Sequence, residues 1–95
     1  MSRLPISVLD LAMATTADST SSALTNAVRL AQCADELGFH RFWVAEHHNM
    51  DTVASTNPAV LIAHLASQTP RIRLGSGGVM LPNHAPLVIA EQFAL

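Results

Sequence analysis

The sequence is poor in the residues that mark several classes of protein. Its 95 residues include one cysteine, one tryptophan and no tyrosine. The lone thiol, Cys33, cannot form an internal disulfide, which excludes a small secreted domain held together by disulfides and agrees with a reducing cytosol. Because aromatic side chains are so few, core volume has to come from Leu, Val, Ile and Ala. The hydrophobic fraction of 49% is enough to supply a packed core.

Charge and long apolar runs are also scarce. Five basic and seven acidic residues give a net charge of -2, and no basic run offers the positive surface that binds nucleic acid. No apolar run approaches the ~18 residues that cross a bilayer. Asp10 interrupts the apolar N-terminal stretch, whereas a signal peptide needs a continuous apolar segment. We therefore predict a cytoplasmic protein that has neither a nucleic acid nor a membrane as a partner.

Apolar and polar segments alternate along the chain in a regular order. Strands are predicted at 5–11, 39–45 and 72–81, and helices at 23–37, 58–68 and 86–95. Gly38 is typical of the position after a helix, and Asn57 followed by Pro58 is typical of a helix start. Several residues of the preceding loop, Asp18 and Ser19 among them, are candidate caps of the first helix.

The resulting order, β-α-β-α-β-α, predicts an α/β fold with parallel strands and right-handed crossovers. Two architectures fit this order: an open doubly wound sheet, and the start of a (β/α)8 barrel, which needs ~250 residues. The third helix runs to Leu95 without a capping residue. We therefore expect residues 1–95 to be the N-terminal part of a single domain, truncated in its third helix.

In both architectures, functional groups collect at the carboxyl ends of the strands. The turn after the first strand has no glycine, which excludes the glycine-rich turn of a dinucleotide site, and the glycines near residue 75 have no lysine beside them, which excludes a P-loop. Paired glycines in a strand indicate either a bulge or the close approach of a ligand. Gly77 and Gly78 are therefore candidates for supporting a flat ring.

The second strand ends in a Glu-His-His motif at Glu46, His47 and His48. Adjacent residues of a strand point to opposite sides, unlike the His-x-His of barrel metal sites, so we predict no metal. We predict that His47 transfers protons, because imidazole titrates near neutral pH, and that Glu46 orients its ring. The alternatives are a salt bridge to a helix for Glu46 and a solvated loop position for His48. His84, in the loop after the third strand, is a weaker candidate.

Several stretches resemble one family, the bacterial luciferase-like flavin-dependent monooxygenases. The stretch RFWVAEHHN at 41–49 resembles their second strand and following turn, and IRLGSGGVMLPNHAPL at 72–87 resembles their third strand and loop. The residues AEQF at 90–93 are similar to the start of the next helix, and SVLD at 7–10 to the first strand. The resemblance therefore extends over nearly the whole chain.

The resemblance implies the first three βα units of a (β/α)8 TIM barrel. It also implies reduced, exchangeable FMN, O2 and a small organic substrate. By the same resemblance His47 is catalytic, with Glu46 beside it, and Ser76, Gly77 and Gly78 hold the cofactor, with a non-prolyl cis peptide bond between the two glycines. The 95-residue chain alone is expected to be inactive.

The resemblance further implies a separate flavin reductase and a homodimer. Helices 58–68 and 86–95 would form the dimer interface, and the first of them is apolar almost all round. Two alternatives remain for the function: a sister enzyme that transfers hydride with a deazaflavin, and a non-catalytic flavin-binding barrel. A bound-cofactor spectrum and a turnover assay would separate these alternatives.

Overall fold

The computed structural model describes residues 3–17 and 19–95, which form alternating strands and helices in the predicted order. The elements are β1 (Val8–Leu9), α1 (Thr20–Glu36), β2 (Arg41–Val44), α2 (Pro58–Ala66), β3 (Arg73–Ser76), a 3-10 turn (Leu81–Asn83) and α3 (Pro86–Ala94). Within these described ranges, no helix is long and apolar enough to span a membrane.

The strands form one parallel sheet in the order β1-β2-β3. On β2, Phe42 and Val44 are fully buried and alternate with the half-buried Arg41 and Trp43. The buried pair packs against small residues of α1 and against leucines of α2, and these helices therefore cover the same face of the sheet. The buried residues of this cluster are Ala31, Ala34, Phe42, Val44, Leu61 and Leu65.

The opposite face of the sheet carries Leu9, Trp43 and Gly75 in one register. The indole of Trp43 lies so close to β3 that a Cβ at position 75 would be 2.7 Å from its Cζ3 atom. Glycine is therefore favoured here by the neighbouring indole, and not by the backbone conformation.

The helix boundaries follow local signals in the sequence. Asn57 caps α2 by accepting a hydrogen bond from the amide of Val60, and Pro58 occupies the first turn, as predicted. Gly38 follows α1 with a φ of +78°, a conformation that glycine adopts without strain. α1 begins at Thr20, three residues before the predicted start, because Ser19 accepts from the amide of Ser22. Asp18, the other named candidate cap, lies outside the described residues.

The strands are shorter than predicted at their carboxyl ends. β3 ends at Ser76, not at residue 81, because the Ser76 hydroxyl donates to the carbonyl of Gly78 and accepts from the Gly78 amide, which turns the chain. The register with β2 runs without interruption to Ser76, so β3 contains no bulge. All peptide bonds of the described residues are trans, and the expected cis bond between Gly77 and Gly78 is therefore wrong.

A buried carboxylate lies at the amino-terminal ends of the parallel strands, which are called the amino edge of the sheet below. Asp35, near the end of α1, accepts hydrogen bonds from the amides of Arg71 (2.9 Å) and Ile72 (2.5 Å). The Arg71 guanidinium adds an ion pair of 2.9 Å to the second carboxylate oxygen. This arrangement fixes the end of α1 to the segment that leads into β3.

Candidate functional site

The segment after β2 is held by a buried serine ten residues further along the chain. The hydroxyl of Ser55 donates to the carbonyl of Ala45 at 2.5 Å and lies 3.3 Å from the Ala45 amide. The carbonyl of Ser55 accepts from the amide of His47 at 3.1 Å. These three contacts, named the Ser55 clamp here, satisfy buried polar groups and fix the backbone on both sides of Glu46.

The carboxylate of Glu46 is fully buried and is surrounded by hydrogen-bond donors. Nε2 of His48 lies 2.8 Å from one oxygen, and Nε2 of His84 lies 2.8 Å and 3.0 Å from the two oxygens. The backbone amide of Met80 is a further donor. An ionised carboxylate offers about four acceptor positions, so these donors leave little capacity for another partner.

These donors set the charge of Glu46. Burial by itself raises the pKa of a carboxyl group, but the hydrogen bonds from His48, His84 and the Met80 amide, together with the charge of His84, outweigh it. The net effect lowers the pKa of Glu46 to about 2. Glu46 therefore stays ionised at neutral pH and serves as a fixed negative charge, not as a proton donor.

The histidines are arranged differently from the sequence-based prediction. His47 is exposed, and Glu46 contacts the rings of His48 and His84 instead of the His47 ring, so the predicted orientation of His47 by Glu46 is wrong. His48 lies exposed in the loop after β2, as in the alternative of a solvated loop position, and its Nε2 also contacts Glu46. The structure brings His84 into the site from the loop after β3. The adjacent parallel strands β2 and β3 indicate only that the loops that follow them lie close together, and not which histidine contacts Glu46.

The glycine-rich segment lies directly beside this cluster. The amide of Gly77 donates to the carbonyl of Val44 at 2.8 Å, two residues before Glu46. Gly77 and Gly78 are exposed, and a Cβ at position 78 would meet nothing within 4 Å. The peptide between the glycines is therefore accessible on one face at the carboxyl-terminal ends of the strands, the carboxyl edge of the sheet. Ser76 contributes through its hydrogen bonds to Gly78, which shape this turn.

The described residues hold no group of three or more His, Cys, Asp or Glu side chains that is arranged to bind a metal ion. Within the Glu46 cluster, both Nε2 atoms are in direct hydrogen-bond contact with the carboxylate. The arrangement can thus hold charge and orient imidazole rings.

Residues 4–95 match the profile of the family described as luciferase-like monooxygenase. The chain belongs to this family. It is 52% identical over 90 residues to a luciferase-like monooxygenase of Escherichia coli strain K12, an alignment that covers 95% of this chain and 27% of that protein. The chain therefore spans about a quarter of the length of this relative.

Two solved structures have the same fold as this chain. Apo-MsnO8 superposes with a TM-score of 0.92 at 42% identity, covering 96% of this chain and 28% of that chain. The oxygenating constituent of 3,6-diketocamphane monooxygenase from Pseudomonas putida, solved in complex with FMN, gives a TM-score of 0.86 at 22% identity, covering 95% and 25%. The luciferase-like monooxygenases are TIM barrels, and the three βα units of this chain are part of such a barrel.

Proposed function

We propose that the natural protein containing these 95 residues is a flavin-dependent monooxygenase that uses reduced FMN and O2 on a small organic substrate. The observation that carries the proposal is the family match over residues 4–95, which includes the whole carboxyl edge of the sheet. The FMN complex of the Pseudomonas putida neighbour supports the choice of cofactor. The lone cysteine agrees with the cytoplasmic location that we assign to this enzyme.

The residues at the carboxyl edge fit a flat cofactor. Gly77 and Gly78 are exposed and carry no side chain that would keep a ring away from the backbone. We assign these two glycines, with Ser76 as the residue that shapes their turn, to cofactor binding. When bound, FMN would supply the redox chemistry and the reaction with O2. The protein would position the substrate, exclude water and control protons.

We assign proton transfer to His47, which is exposed at the end of β2 beside the fixed charge of Glu46. Its side chain makes no hydrogen bond with the described residues, so the ring is free to meet a bound substrate. Imidazole is suited to this role because it takes up and releases protons near neutral pH.

The test of this proposal uses the natural protein with FMN and with a deazaflavin. We expect FMN to bind, as measured by fluorescence quenching, and reduced FMN with isotopically labelled O2 to place one labelled oxygen atom in a product. Preferred binding of the deazaflavin with hydride transfer and no O2 uptake would favour the sister enzyme. Flavin binding without turnover of any member of a broad substrate panel would favour a non-catalytic barrel.

A flavin reductase and a second copy of the chain complete the proposal. The reductase would supply reduced FMN, and α2 and α3 would form the homodimer interface. Apolar side chains on these helices are exposed, with Val60 at 65% and Leu87 at 70%. Leu65 is fully buried, so the side of α2 that carries it faces the sheet. We expect Val60→Glu to shift the dimer towards monomer in light scattering, whereas Val60→Ala should have little effect.

A further inference from the structure

The two imidazoles at Glu46 present the same ring nitrogen to the carboxylate. Nε2 of His48 and Nε2 of His84 each lie 2.8 Å from a carboxylate oxygen. An ionised carboxylate can only accept hydrogen bonds, so each Nε2 must carry a hydrogen. In the neutral imidazole, the other nitrogen, Nδ1, is then left with a lone pair. The geometry therefore fixes the tautomer of both rings.

The two rings differ in what else they can reach. The His84 side chain is 24% exposed and contacts both carboxylate oxygens from the loop after β3, so it fastens that loop to the end of β2. The His48 side chain is 44% exposed and contacts only one oxygen. His48 alone of the pair combines a fixed Nε2 with wide access to a bound molecule and to solvent.

We propose that Glu46, His48 and His84 form one proton-handling unit, in which Glu46 and His84 are positioning residues and Nδ1 of His48 takes up a proton separate from the one that His47 transfers. An acidic O–H, N–H or S–H group of a bound substrate gives its proton to Nδ1, and the bonding electron pair stays with the substrate. The imidazolium that forms is balanced by the Glu46 carboxylate. Water then removes the proton through the exposed side of the ring. The nature of the substrate rests on the proposed function, but the positioning by Glu46 does not.

The positioning is tested by nuclear magnetic resonance on the natural protein with isotope-labelled histidine, at a pH above the range in which histidines ordinarily titrate. We expect two ring Nε2–H signals that exchange slowly with water because both are hydrogen bonded. His48→Gln and His84→Gln should each remove one signal. His47→Gln is the matched control and should remove neither signal.

Glu46→Leu supplies the decisive variant. A leucine has no acceptor atom, so it can hold neither ring that presents Nε2–H. We expect both slowly exchanging signals to disappear from the folded variant. Absence of both signals from the folded wild-type protein, or persistence of both in a folded Glu46→Leu protein, would overturn the proposal. The wild-type measurement decides the matter if the variant does not fold.

The proton uptake has its own readout. We expect His48→Ala to lower kcat by about 100-fold, at the low end of what proton-transfer residues contribute, while FMN affinity stays unchanged. Imidazole added to the solution should restore part of the lost kcat, because the site of His48 is open to solvent. An unchanged kcat, or a loss that imidazole does not restore, would contradict the role of His48. If the wild-type protein shows no FMN-dependent turnover, the proposed function fails, whereas the ring signals still decide the positioning.

Discussion

Two buried carboxylates lie at opposite edges of the same sheet and differ in the chemistry of their partners. Asp35, at the amino edge, is held by a guanidinium and two backbone amides. These donors keep their hydrogens throughout the physiological pH range. Glu46, at the carboxyl edge, is held by two imidazoles and one amide. Imidazoles as a class can gain and lose protons near neutral pH. Asp35 therefore has a structural role only, whereas the partners of Glu46 can take part in proton transfer.

The comparison also separates the end of the sheet that serves stability from the end that serves catalysis. In barrels of parallel strands, conserved features of the amino edge serve stability, whereas catalytic residues collect at the carboxyl edge. Asp35 joins a helix to a strand, and Glu46 joins two loops that carry histidines. The carboxylates of Asp35 and Glu46 therefore have different roles, and the neighbouring groups determine which role each has.

The largest effect on stability is expected for Asp35→Ala. The change leaves the amides of Arg71 and Ile72 without their acceptor, and hydrogen bonds to a charged group are worth about 1.5–3 kcal/mol each. The exposed guanidinium of Arg71 adds little. We expect the free energy of unfolding of the natural protein to fall by about 3 kcal/mol in urea titrations. Asp35→Asn keeps an acceptor oxygen and should lose less, and a lower kcat of folded Asp35→Ala would break the comparison.

His47→Ala should show the opposite behaviour to Asp35→Ala. The side chain is exposed, so the free energy of unfolding should change little. If His47 transfers protons, kcat should fall by about 100-fold, while FMN affinity is mostly retained. Steady-state kinetics and flavin titration measure the two quantities separately. Unchanged turnover would remove His47 from the catalytic residues.

Gly75→Ala and Gly78→Ala form a matched pair on the two sides of the β3 end. A Cβ at position 75 would be 2.7 Å from the Trp43 ring, so the indole must move, and overpacking of this kind costs about 1–3 kcal/mol. A Cβ at position 78 meets nothing within 4 Å, so Gly78→Ala should leave stability nearly unchanged and weaken FMN binding. Thermal unfolding and flavin titration of both variants test this division. Tight FMN binding by Gly78→Ala would argue against a ring on this peptide.

The last prediction concerns the pH dependence of stability. The pKa of Glu46 is about 2 in the folded chain, below its ordinary value of 4.5. Because the folded pKa is lowered, the stabilisation is complete above pH 4.5 and is lost as the pH falls towards 2. We expect the free energy of unfolding of the wild-type protein to fall more steeply over this interval than that of Glu46→Gln. Parallel slopes would show that the carboxylate is not stabilised in the fold.

Local chemistry explains which parts of the fold could be predicted from sequence. Asn57 with Pro58, and Gly38, act within a few residues, and the helix boundaries they indicate are close to those observed. The end of β3 could not be predicted, because it depends on the way the Ser76 hydroxyl folds back on Gly78. Periodicity also gave no means of telling that Val60 is exposed while Leu65 of the same helix is fully buried.

The candidate site was predictable in its position but not in its contacts. The ends of parallel strands had to meet at one edge, which located Glu46 and the glycines together. His84 is 38 residues away from Glu46 in the chain, and nothing local fixes which of three nearby histidines the carboxylate contacts. That choice depends on the direction in which each residue leaves the end of β2, and on the 3-10 turn that directly precedes His84.

The Ser55 clamp has a consequence for how this protein could be re-engineered. The clamp holds the backbone on both sides of Glu46 from a residue beyond the exposed turn at Met50 and Asp51. Residues inserted at that turn would therefore extend into solvent, and the position of the Glu46 carboxylate would not change. Libraries that vary the length and sequence of this turn would therefore leave the Glu46 site in place, so this loop could be redesigned without displacing the buried carboxylate.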